Sequence, residues 1–87
     1  MPEPWLLGPF IGARVSELRQ RRGFSLTSVA KRAGLTLQAL AALEEGKEPD
    51  MPVSVLYALA QALRVKPSTL LPERLATGEK TRRETLR

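Results

Sequence analysis

Eighty-seven residues with a net charge of +5 make one small domain that favours anionic partners. Cysteine and histidine are both absent, which removes disulfides, thiol nucleophiles, the usual zinc ligands and the commonest general base together, so neither a metal site, a cofactor nor catalysis is expected. Aromatics make up 5% of the residues, so the core is expected to be aliphatic and the fold all-α.

No apolar run reaches the ~18 residues of a membrane span, and Met1-Pro2-Glu3-Pro4 lacks the basic opening of a signal peptide; a cytoplasmic protein without membrane contact is expected. Residues 1–10 contain Pro2, Pro4, Gly8 and Pro9 and read as an extended arm, with Trp5, Leu6 and Leu7 lying on the body or on a partner. Ile11, Val15 and Leu18 recur at helical spacing opposite Arg14, Glu17, Arg21 and Arg22, which predicts a first helix over 11–22 closed by Gly23. Ser25 is an N-cap for a second helix over 26–33, with Val29, Ala30 and Ala33 inward and Gly34 ending it. Thr36 caps a third over 37–45, held by Leu40 and Leu43 and stopped by Gly46. Pro52 opens a fourth helix with Val53, Leu56, Leu59, Ala60 and Leu63 on its buried face, and Pro67 opens a short fifth containing Leu70 and Leu71, limited by Pro72. The last stretch, 72–87, is a charged tail, either flexible or assisting a dimer.

Charge alternates along this plan. Basic side chains exceed acidic ones over 1–43 and again over 64–87, whereas Glu44, Glu45, Glu48 and Asp50 against Lys47 make 44–51 acidic.

The informative stretch is Ser25 to Gly46. Two short helices joined through Gly34, with small Ala30 where they approach and Leu35, Leu40 and Leu43 locking the second, form the helix-turn-helix pattern. Together with Leu43-Glu44-Glu45-Gly46-Lys47 and the helix end Ala60 to Val65, residues 11–71 resemble the lambdoid phage repressor and Cro family, also called the Xre family. The resemblance implies a compact five-helix repressor-like domain that regulates transcription, as a repressor, by binding double-stranded DNA as a homodimer. It implies that Thr36, Leu37, Gln38, Ala41 and Ala42 face the bases, and that Ser25, Leu26, Thr27 and Lys47 meet phosphate where free amides and the helix dipole attract anions. Arg19 and Glu44 match the positions of a structural ion pair between the first and third helices.

Several positions depart from the family's pattern. Leu26 stands where many relatives carry a phosphate-gripping Gln, and Leu37, Ala41 and Ala42 replace polar residues of the reading helix, leaving Gln38 to pair with adenine while the alkyl side chains pack on thymine methyls. The acidic loop opposes DNA, so affinity leans on Arg14, Lys31, Arg32 and the arms. A second reading stays open beside the first: the same fold used as a protein-protein interaction module, antitoxin-like or cytoskeletal-anchor-like, docking a protein partner through its exposed alkyl residues. At single positions the plainer alternatives are a solvated Gln38, Lys31 and Arg32, a merely solubilising set of Lys80, Arg82, Arg83 and Arg87, and packing roles for Trp5 and Phe10.

Overall fold

The computed structural model describes residues 7–72. They form α1 (Leu7–Arg21), α2 (Leu26–Ala33), α3 (Leu37–Glu44) and α4 (Val53–Leu63), followed by a 3₁₀ turn at Pro67–Leu70; no strand occurs among the described residues.

All four α-helices stop in the same way. Gly23, Gly34 and Gly46 take left-handed φ angles of 72°, 73° and 77°, and Arg64 takes 61° at the end of α4. In each case the next amide reaches back five residues: Phe24 to Arg19, Leu35 to Ala30, Lys47 to Ala42 and Val65 to Ala60, at 2.8 to 3.0 Å. These are Schellman caps, which satisfy carbonyls that would otherwise be left without donors. Three use the residue that reaches this conformation without steric cost; the fourth forces an arginine into it.

Two expectations about the chain's ends require correction. The arm was expected to reach residue 10, but Leu7 to Phe10 belong to α1. Pro9 falls in the first turn, where an amide has no helical acceptor, so its missing N–H is tolerated there. Another first-turn amide, that of Gly8, donates to the carbonyl of Pro49 at 3.1 Å. At the other end the expected fifth α-helix is only the four-residue 3₁₀ turn. Leu71 leaves helical geometry, at φ −92° and ψ 155°, as a residue preceding a proline is pushed to do. Residues 1–6, with Trp5 and Leu6, and the tail from 73 on, with Leu75, Lys80, Arg82, Arg83 and Arg87, lie outside the described residues.

The helices enclose one aliphatic core. Ile11, Val15 and Leu18 of α1 meet Val29 and Ala30 of α2, Leu40 and Leu43 of α3, and Leu56, Leu59 and Leu63 of α4, and Leu70 of the 3₁₀ turn closes the cluster. The main packings are α1 on α3 and α2 on α4 and α3. Val53, expected on the buried face of α4, is 65% exposed. Seven residues before the buried Ala60 it shares that residue's direction at about 100° per residue, but it is the first residue of α4, in the exposed stretch 52–54, and the burial begins one turn later at Leu56.

Gly8 and Gly12 set how close α1 comes to its neighbours. A Cβ on Gly12 would strike the carbonyl of Leu43, and one on Gly8 would strike that of Glu48. Their four-residue spacing places both on one side of α1, so its backbone rests directly on the end of α3 and on the loop that follows.

Candidate nucleic-acid interface

α2 and α3 are each eight residues long, too short to hold their shape alone, so local caps and tertiary ties must fix them. The Ser25 hydroxyl accepts from the amide of Ser28 at 3.0 Å, and the Thr36 hydroxyl accepts from that of Ala39 at 3.0 Å. Gly34 and Leu35 close the turn between the two helices through the amide bonds to Lys31 and Ala30. That sets α3 across α2 with Leu40 and Leu43 inward.

The far end of α3 is tied to α1. Arg19 Nε donates to Glu44 Oε2 at 2.8 Å and its Nη2 to Oε1 at 3.0 Å, while Nη1 reaches the carbonyl of Phe24 at 3.0 Å. Two parallel bonds of this kind match guanidinium to carboxylate in both charge and shape. The side chains are only 16% and 9% exposed. Donation to Glu44 and the attraction of its charge, working against desolvation, hold the Arg19 guanidinium above its ordinary value. One arginine thus fastens α1, the turn into α2, and α3 together.

What remains outward on α3 is mostly hydrocarbon. Leu37 is 45% exposed, Gln38 is exposed, and Ala41 and Ala42 are half-buried. Because residues three and four apart are neighbours on a helix, these four form one continuous patch. Thr36 is exposed beside it and spends its hydroxyl oxygen on the cap.

The residues expected to meet phosphate are scattered more widely. Ser25 and Thr27 are exposed at the start of α2, where the first amides remain open to an anion. Leu26, expected to face phosphate with them, is half-buried and packs against the core; an alkyl side chain has no donor to offer, and burial is its favourable course. Lys31 and Arg32 lie at the opposite end of α2, in its last turn, where they also complement the helix dipole. Arg32 lies over the ring of Phe24 at 5.2 Å and Arg14 over that of Phe10 at 5.4 Å, so each guanidinium is steered by an aromatic face. Lys47 approaches Glu45 at 3.1 Å with both side chains largely exposed, a contact worth little in solvent.

Some of this was not foreseen from the chain. The rings under Arg14 and Arg32 stand at spacings of four and eight residues; the first is a helix-neighbour spacing that could have been noticed, whereas the second depends on how the α1–α2 turn folds back. The Gly8 and Gly12 pair was likewise readable as a four-residue repeat of small residues, and was missed because Gly8 was placed in the arm and Gly12 in the first helix. No group of three or more His, Cys, Asp or Glu is placed to hold a metal ion among the described residues, and no helix among them is long and apolar enough to cross a membrane.

Residues 11–73 match the family model described as a helix-turn-helix domain. The chain is 30% identical over 67 residues to the HTH-type transcriptional regulator SinR of Bacillus subtilis (strain 168), a match covering 77% of this chain and 60% of that protein. SinR of Bacillus licheniformis is 30% identical over 64 residues, 74% of this chain and 58% of that protein. The matched stretch thus spans about three-fifths of the length of these curated relatives. Among solved structures, the restriction-modification controller protein C.AhdI from Aeromonas hydrophila superposes with a TM-score of 0.67 at 28% identity, covering 72% of this chain and 94% of that one. The clp gene regulator ClgR from C. glutamicum gives 0.71 at 25% identity, over 88% and 95% of the two chains.

Proposed function

The chain belongs to the helix-turn-helix domain family, and from that premise we propose that it is a DNA-binding transcriptional regulator, a repressor, which sets α3 into the major groove of a two-fold operator as a homodimer. The reading draws support from relatives and structural neighbours whose own names are those of regulators. The observation that carries it is the outward face of α3. Leu37, Gln38, Ala41 and Ala42 contribute a projecting patch, on a helix fastened at its start by the Thr36 cap and at its end by Arg19.

In the docked complex Thr36, Leu37, Gln38, Ala41 and Ala42 face base edges, and the Gln38 amide pairs with adenine N6 and N7. The opening amides of α2, with Ser25 and Thr27, meet a phosphate, and Arg14, Lys31, Arg32 and Lys47 add charge along the backbone. Two copies read half-sites about 34 Å apart, one helical turn of duplex. The protein works in the cytoplasm and performs no catalysis.

Selection of random duplexes with the purified chain at ~0.1 M salt, where the Debye length is about 10 Å, tests the proposal directly. The expected result is a two-fold sequence that is strongly enriched. Gln38→Ala then relaxes preference at one base pair per half-site, and Lys31→Ala weakens all sequences alike. If no sequence is enriched and binding stays undetectable even at low salt, the proposal fails.

A further inference from the structure

We propose that the outward face of α3 reads the C5-methyl groups of pyrimidines, so that 5-methylcytosine can stand in for thymine at the positions it covers. This rests on the DNA-binding reading above and specifies what that face recognises.

The case begins with what the face lacks. Glu44 is committed to Arg19 through two hydrogen bonds, and the Thr36 hydroxyl oxygen is engaged by the amide of Ala39. Gln38 is the one amide side chain on α3. Leu37, Ala41 and Ala42 surround it with alkyl surface, and Leu37 keeps 45% of its surface exposed, since Leu40 and Leu43 already fill the core beneath α3. Leu37 and Ala41 are four residues apart, and Gln38 lies three from Ala41 and four from Ala42, so the alkyl surface is continuous around a single amide side chain, with the Thr36 hydroxyl at its edge.

The floor of a major groove is a row of hydrogen-bond donors and acceptors with one apolar group among them, the methyl on C5 of thymine. Alkyl side chains placed against N7, O6 or N4 would strand those groups without partners, which is unfavourable. Against the methyl they lose nothing and remove apolar surface from water. Cytosine methylated at C5 carries the same group on the same ring atom, and on the major-groove edge of the base it differs from thymine only in the group at C4, an amine in place of a carbonyl. A hydrocarbon contact has no means of reading that difference by hydrogen bonding, so methylation of cytosine creates the feature this face selects.

One methyl contact corresponds to roughly the 0.8 kcal/mol of a buried methylene, about fourfold in affinity, or about fifteenfold when both half-sites change together. The test uses the full chain and the duplex it selects, with affinities read by fluorescence anisotropy. Each thymine beneath α3 is replaced in turn by deoxyuridine opposite adenine, and by cytosine and 5-methylcytosine opposite guanine. At one or more positions deoxyuridine is expected to weaken binding about fourfold per half-site, cytosine at least as much, and 5-methylcytosine to recover affinity to within about twofold of thymine. Leu37→Ser is expected to flatten the thymine-to-deoxyuridine difference while the variant keeps its helical circular dichroism, the side chain being outside the core. Equal binding of thymine and deoxyuridine at every position overturns the inference, as does a difference that survives Leu37→Ser, Ala41→Ser and Ala42→Ser alike. The two readings fail separately: a preferred operator that is blind to uracil removes methyl reading alone, whereas the absence of any preferred sequence removes both.

Discussion

Arg19 is the residue on which the most structure depends, because α1, the α1–α2 turn and α3 all meet at its guanidinium. Replacing it with alanine strands the Glu44 carboxylate, whose side chain is only 9% exposed, and is expected to cost about 3–5 kcal/mol in urea unfolding. Arg19→Lys should recover part of this at most, since an ammonium cannot make the two parallel bonds. Because the folded-state guanidinium is held above its ordinary value, its contribution is fully present below the unfolded value and fades only as pH rises past the folded one. An Arg19 wild-type and variant pair compared at neutral pH and at pH ~10 should therefore show the same stability difference, since an unfolded arginine is still fully charged at both. Arg64 is the opposite case, a residue whose conformation works against it. Arg64→Gly relieves a left-handed φ, and after the added chain entropy of glycine the variant should unfold at higher temperature, by about 0.5–1 kcal/mol in stability.

At the scale of elements, most helix ends and most inward residues were legible, as was the Arg19–Glu44 tie, whereas the start of α1 and the close seating of its backbone were not. Ser25, Thr36, Gly23, Gly34 and Gly46 act on amides and carbonyls within a few residues of themselves, so their type and order are enough to place the boundaries they set. The start of α1 escaped because Pro9 reads as a helix breaker until one knows that it falls in a first turn. The position of Val53 was misjudged for a related reason: a helix wheel gives direction around α4 but not position along it, and Val53, which points the way buried Ala60 does, stands at the exposed first position of the helix. Likewise Leu26 was assigned by analogy to a solvent-facing role, and the local demand to bury an alkyl side chain prevailed. The α1–α3 contact yields a prediction at this scale. Gly12→Ala drives a methyl into the Leu43 carbonyl, so backbone must move, and a loss of about 3 kcal/mol is expected by thermal unfolding, at the upper end for overpacking. Thr36→Ala removes a cap at an exposed position and should cost only about 1 kcal/mol. If Gly12→Ala is the milder of the two, α1 does not rest on α3 as described.

For the whole molecule the net charge of +5 gives the proposed complex a salt dependence that separates its two kinds of contact. Each phosphate neutralised contributes about −0.9 to the slope of log affinity against log salt, so Lys31→Ala should reduce the slope by about 1 per protomer. Gln38→Ala should lower affinity for the selected operator with the slope unchanged. Titrations between ~50 and ~200 mM salt distinguish them, a range over which a protein with several phosphate contacts changes affinity by orders of magnitude. Equal slopes for wild type and Lys31→Ala would take Lys31 off the phosphate path.

The close seating of Gly8 and Gly12 against the carbonyls of Glu48 and Leu43 also bears on how association proceeds. With backbone resting on backbone and Arg19 fixing the other side, α3 has no segment left to fold when a duplex arrives; among its outward side chains only those of Leu37 and Gln38 have rotamers to surrender, roughly 0.5–1.5 kcal/mol each. In the proposed complex the seating of α3 is then a lock-and-key encounter, with the duplex doing whatever bending is needed. Amide hydrogen exchange should accordingly show α3 protected in the free protein, with no gain in its protection on docking of the size that accompanies a helix ordering itself on its target.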